Sequence, residues 1–390
     1  MKIKFLLFAV LISFSAVLSA QTIKGDVLVS GNGAPVDYKI PEGIREIAPN
    51  AFATSSVRSV ECPASLEVIG QCAFFYATEL KSVTFAPNSK LKTIGEQAFS
   101  DCTNLETIEL PNSVDSIGVN AFVLCENLKK ITIPTGLRKL SRSTFMSCSN
   151  LMKVKFPETL KEIDETCFAN CVSLTSLTLT GVETIGERAF YNCKVLTNVK
   201  LNEGLKEIKD NAFQRCIAIE TLELPASIEK TGAKLFLQCP EFDGFTVVAG
   251  SKYMMADGGV LYSKAKTTLY ECPQTAKSDN FVVPAETKLI RSMAFFECQD
   301  IKAITLPKNL EKVGTGALSN NGMATFNFAT NDYLIYEDNA LYYRSQNGNG
   351  LYLMAIPCKG TKTEFLLQPK TSYIADYAFS YNNSMQKVSL

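Results

Sequence analysis

A phenylalanine, mostly placed after a small residue, recurs along this chain at near-constant intervals, and no other feature restricts the fold so strongly. It stands at Phe52, Phe74, Phe99, Phe122, Phe145, Phe168, Phe190, Phe213, Phe236, Phe295 and Phe379, and Leu318 takes the same place in Thr315-Gly316-Ala317-Leu318. Six of the eleven spacings are 23 residues, three are 22 or 25, and two are long, at 59 and 61. A unit of this length cannot bury an apolar face by itself, so such units stack, each packing on its neighbours. Stacking also accommodates 390 residues that are 46% hydrophobic, more than one compact core usually organises.

One unit shows the remaining columns: Leu105, Ile108 and Leu110 before Pro111, then Val114, Ile117-Gly118, Ala121-Phe122 and Cys125. Ile108-Glu109-Leu110 alternates apolar and polar, which predicts a half-buried strand. Pro111 ends that strand because it has no N–H for a ladder. Residues 120–125 suit a short helical turn that tucks Phe122 and Cys125 inward. Each coil is thus expected to carry a strand on one side and a turn or short helix on the other, with the strands stacked ~4.8 Å apart in a parallel sheet.

The phrase Leu-x-x-Ile-x-Leu-Pro…Ile-Gly-x-x-Ala-Phe-x-x-Cys, repeated over almost everything after residue 36, resembles the BspA-like, or treponemal-type, leucine-rich repeat of bacterial surface proteins. The expected fold is an α/β repeat solenoid. It is a leucine-rich-repeat right-handed superhelix with a parallel β-sheet on one face, short turns or helices on the other, and two β-hairpin-type inserts. The inserts fill the long gaps, where Gly259-Val260-Leu261-Tyr262 and Asn339-Ala340-Leu341-Tyr342 are each followed by a second apolar run ending at Pro273 or Pro357. Asp257-Gly258-Gly259 and Asn347-Gly348-Asn349-Gly350 supply turn chemistry.

Residues 1–20 read as a secretory signal peptide: Lys2 and Lys4, an apolar run from Phe5 to Leu18, then Ser19 and Ala20. A retained membrane anchor is the competing reading, and the mature chain contains no other stretch that could span a bilayer. The organisation expected after the signal is a capping segment over 21–35, repeats over 36–245, an insert over 246–283, repeats over 284–325, an insert over 326–366 and an incomplete repeat over 367–390. Val388-Ser389-Leu390 falls midway through a strand, so either further sequence or a partner is expected at that edge.

Eight of the thirteen cysteines (Cys102, Cys125, Cys148, Cys171, Cys193, Cys216, Cys239 and Cys298) sit three residues after the anchor position, a fixed place in the coil. They read as a ladder of small buried hydrophobes. Disulfides compete in an exported protein, but side chains in one column point the same way and make poor bridges. There is no His and no Cys-x-x-Cys, so no metal site and no cofactor are expected. The missing His also removes the commonest general base and its nucleophile pairs. Glu162, Asp164 and Glu165 fall in polar slots and read as solvated surface. No catalytic residue is expected, and the chain does not read as an enzyme.

Lys plus Arg and Asp plus Glu both total 39, a balance that argues against nucleic acid as a partner. Binding of another kind remains, through the outward strand positions that vary between coils. The middle of that face is basic, at Lys129, Lys130, Lys153, Lys155 and Lys200, and would steer acidic partners. It lacks aromatics. Tyrosines concentrate in the inserts instead, and Tyr262, Tyr342 and Tyr343 are the contact candidates there. The resemblance implies adhesion to host, matrix or other cell-surface proteins, at the cell surface, in the periplasm or outside the cell. A glycan-binding accessory protein using the insert tyrosines, or a periplasmic scaffold, are the alternatives.

Overall fold

The computed structural model describes residues 22–344 and 350–389, so the signal segment, the turn at 347–349 and Leu390 lie outside the described residues. The described chain forms two compact units, one holding residues up to 176 with 180–182, the other 177–179 with 183 onward.

In the first unit each coil contributes two short strands. The first row is a parallel sheet of Asp37–Lys39, Ser59–Cys62, Ser82–Phe85 and Thr107–Ile108, and farther along Lys130–Thr132 pairs in parallel with Lys153–Lys155. The second row runs through Val27–Ser30, Glu46–Ile47, Val68–Ile69, Thr93–Ile94 and Ser116–Ile117, with Thr22–Lys24 added antiparallel at its start. The glycines after Val68–Ile69, Thr93–Ile94 and Ser116–Ile117 are dictated by closeness between coils. A Cβ on Gly118 would lie 2.4 Å from the Glu96 backbone nitrogen.

The third side of the coil corrects the expectation of short helices: the described residues contain no helix. Asn120 and Leu124 have φ of 58° and 60°, a left-handed conformation that a right-handed helix cannot absorb. The N–H groups of Asn120, Phe122 and Leu124 donate to carbonyls of the next coil at Arg142, Thr144 and Met146. Those of Val123 and Cys125 close four-residue turns onto Asn120 and Phe122. Hydrogen bonds that a helix would keep inside itself therefore run between coils, and this side is a ladder of turns. The architecture is an all-strand β-solenoid of leucine-rich-repeat type.

The anchor phenylalanines stack from Phe52 to Phe168 in the first unit and from Phe190 to Phe236 in the second, where Phe295 and Phe379 instead meet Phe281 and Phe365 edge-on. Ring centroids are 4.9 Å apart for Phe52–Phe74 and 5.4 Å for Phe145–Phe168, with planes within 12° of parallel along that run. Beside it, asparagines bond coil to coil, Asn127 Nδ2 to Asn104 Oδ1 and Asn150 Nδ2 to Asn127 Oδ1. All thirteen cysteines are unbridged, and only Cys72 is not fully buried. The column thiols do more than fill space. Cys102, Cys125, Cys148 and Cys171 donate to the Phe74, Phe99, Phe122 and Phe145 carbonyls at 3.1–3.3 Å.

In the second unit the same coil is interrupted twice by antiparallel strands. Met254–Asp257 and Val260–Ser263 form a hairpin, Thr268–Glu271 pairs with the latter, and the row resumes in parallel at Leu289–Ile290. Leu334–Glu337, Ala340–Arg344 and Leu351–Ala355 repeat the arrangement, and the row resumes at Thr371–Ile374. At the first interruption the Phe236 and Leu235 N–H groups have no next coil, and the Glu271 carboxylate accepts both, at 3.2 and 3.0 Å. Glu297 does the same for the Gln238 N–H at 3.0 Å, and the Phe242 ring continues the stack 3.7 Å from Phe236. Two side-chain carboxylates thus replace backbone carbonyls where the repeat is broken.

Candidate binding site

Outward residues of the first strand row are set by alternation, since the intervening ones (Val60, Val83, Ile108, Ile131) are buried. Toward the start of the first unit these outward residues are mutually neutralised. The Ser59 hydroxyl donates to Asp37 at 2.7 Å, and Lys39 lies 3.7 Å from Glu61. At Lys130–Thr132 and Lys153–Lys155 the pattern changes: Lys130 is directly opposite Lys153, and Lys155 is opposite Thr132. All three lysines are exposed and have no carboxylate partner among the described residues. A shallow depression of about 300 Å³ adjoins Lys130, lined also by Thr107, Glu109, Leu110, Asn112 and Thr132.

The other sequence candidates separate. Lys129 sits 3.0 Å from Glu106, whose carboxyl the ammonium holds below its usual range, so its charge is already answered. Lys200 is exposed on Asn198–Lys200 in the second unit. Tyr262 and Tyr342 belong to the hairpin cores, at 3% and 0% exposure, and offer no ring face to a ligand. Tyr343 is half-buried, beside Tyr352. The acidic residues Glu162 and Asp164 bridge Lys139 of the preceding coil at 2.9 and 2.8 Å.

The interior has little nucleophilic character. Burial pushes the Cys62 and Cys167 thiols up to about 12, and the column thiols Cys125, Cys171 and Cys216 rise for the same reason. Among the described residues no three Cys, Asp or Glu side chains converge as metal ligands, and no helix is long and apolar enough to cross a membrane.

The repeated coil, the phenylalanine stack and the Gly-Ala-Phe-Cys columns match the family model for the BspA type leucine rich repeat region over residues 45–175, 161–255 and 267–349, in six copies. The chain belongs to this family. Among solved structures, this BspA-type chain is similar to a leucine-rich repeat protein from Bacteroides ovatus, at 20% identity and a TM-score of 0.53, covering 90% of this chain and 91% of that one. It is also similar to a leucine rich cell surface protein from Faecalibacterium prausnitzii, at 21% identity, TM-score 0.49, and 94% and 92% coverage. The pneumococcal vaccine antigen PcpA aligns at 20% identity, TM-score 0.37, over 94% of this chain and 78% of that one. No curated protein matches the sequence. The first of these likenesses supports the solenoid fold and says nothing about ligand.

Two features of this BspA-type chain escaped sequence reasoning. Glu271 stands in Tyr270-Glu271-Cys272-Pro273 with no local pattern to mark it as a carboxylate that closes a turn ladder. Tyr373, half-exposed beside Tyr352, lies after the insert and outside the tyrosine-rich segments.

Proposed function

We propose that this protein is an exported, non-catalytic binding protein. Its first-unit strand face docks an acidic surface of a protein on a host cell, on matrix or on a neighbouring cell. The observation that carries this reading is the like-charged pair Lys130 and Lys153, directly opposed on adjacent strands with Lys155 alongside and no counter-ion. Like charges placed opposite each other weaken a sheet. An anionic partner relieves that repulsion on docking and is steered to the face before contact. Export rests on the signal-like segment at 1–20 and on the resemblance to bacterial surface proteins.

A panel of immobilised extracellular-matrix proteins probed with the mature chain tests the reading. At least one should capture the wild type, and a Lys130→Glu, Lys153→Glu, Lys155→Glu triple variant should lose that capture. Equal capture by both proteins would remove the lysines from the site.

A further inference from the structure

Three tyrosines form a row across the second insert and the strand that follows it. Tyr343 on Ala340–Arg344 is register-paired with Tyr352 on Leu351–Ala355, and Tyr352 with Tyr373 on Thr371–Ile374. The Tyr343 and Tyr352 rings are 6.4 Å apart and 16° from parallel; the Tyr352 and Tyr373 rings are 5.7 Å apart and nearly perpendicular. Tyr343 and Tyr352 are half-buried, and Tyr373 is 52% exposed. The two inward tyrosines of this insert spend their hydroxyls internally, Tyr336 donating to Asn339 and Tyr342 accepting from the Gln368 N–H at 3.4 Å. The three hydroxyls of the row have no hydrogen-bond partner among the described residues.

The row therefore offers apolar ring surface edged by free phenol groups, with no carboxylate or ammonium within it. A pyranose ring has the matching character: a patch of C–H bonds that lies against an aromatic face, bordered by hydroxyls that both donate and accept. Scale favours the same ligand. A stable protein interface takes about 800 Å² from each partner. Three tyrosines that bury at most ~150–250 Å² each, two of them already half covered, fall well short of that. Hydroxyl-rimmed aromatic surface of this extent suits an oligosaccharide a few residues long. We infer that Tyr343, Tyr352 and Tyr373 form a binding site for a neutral glycan, separate from the lysine face.

The chain has no Trp, so its intrinsic fluorescence comes from tyrosine and reports binding without a label. An array of neutral host and plant-wall oligosaccharides is screened with the full mature chain, and hits are titrated by fluorescence. The inference expects at least one neutral glycan to bind, with affinity reduced about tenfold or more in Tyr373→Ala. A smaller reduction is expected in Tyr352→Phe, which keeps the ring and loses the hydroxyl. Tyr76→Ala, at an exposed tyrosine of the first unit, and the triple lysine variant should bind as the wild type does. No neutral glycan bound, or glycan binding that survives both Tyr373→Ala and Tyr352→Phe, overturns it. So does a row whose loss abolishes capture of a protein and leaves glycan binding intact.

Discussion

The Cys148 thiol donates to the Phe122 carbonyl of the preceding coil across 3.2 Å, and the same oxygen accepts the Cys125 N–H at 3.3 Å. The cysteine column is therefore a row of donors as well as a row of small apolar groups. Cys148→Ala removes one of two bonds to that oxygen and opens a small void, for an expected loss of about 1–2 kcal/mol. Cys148→Ser keeps a donor in place and should be no more destabilising than the alanine. Urea unfolding of both variants checks this, and a serine variant far less stable than the alanine would show that the bond contributes nothing. In the folded protein a maleimide should reach Cys72 before any other thiol, because the remaining cysteines are buried.

Phe145 is sandwiched between Phe122 at 5.3 Å and Phe168 at 5.4 Å and is fully buried. Phe145→Ala should cost about 3–5 kcal/mol, because the coil spacing is fixed by backbone bonds and the stack cannot collapse into the cavity. Thermal unfolding unchanged from the wild type would contradict the assigned register of the repeat.

Glu271 gives stability a pH dependence of unusual sign. Burial raises its pKa from 4.5 to about 7, against the lowering effect of the two backbone N–H bonds and of Arg291. The folded state therefore keeps the proton over a range where the unfolded chain has lost it. Stability from this group is present below about pH 4.5, falls as pH rises toward about 7, and is level above that. The shift corresponds to at most ~3 kcal/mol. Glu271→Gln should abolish this slope, seen as the wild-type-minus-variant difference in unfolding free energy between pH 5 and pH 8, and should lose one of the two backbone bonds. A difference that does not vary with pH would mean that Glu271 is ionised throughout.

Lys153→Glu should make the free protein slightly more stable, because it converts a repulsive cross-strand pair with Lys130 into an attractive one. The expected rise in melting temperature is at most ~2 °C, and it should shrink in high salt. A lower melting temperature would show that the two ammonium groups do not meet in solution.

The phenylalanine period, its inward column and the outward lysines were legible in the sequence, because fixed spacing and strand alternation leave few choices. The third side of the coil was not. Phe122 and Cys125 are three residues apart, a spacing shared by a helical turn and by this ladder. What separates the two is the destination of the Phe122 N–H at Thr144, a contact between coils that no local pattern reports. Tyr262 and Tyr342 were misplaced for a different reason. The pairing of each hairpin's second strand with the strand that follows it slips by one residue at Leu261/Tyr262 and at Leu341/Tyr342, and such a bulge re-aims the side chain. Both inserts are also covered on two faces, so Val260, Leu261 and Tyr262 are consecutively buried and alternation no longer predicts exposure.

The salt dependence of partner affinity tests the central reading most directly. The dissociation constant of a captured matrix protein is measured for the wild type and for the Lys130→Glu, Lys153→Glu, Lys155→Glu variant, across ionic strengths from about 0.05 to 0.5 M. The lysine face predicts wild-type binding that weakens steeply with salt, and variant binding that is weak at low salt and does not weaken further. Equal affinities with equal salt slopes in the two proteins would contradict it.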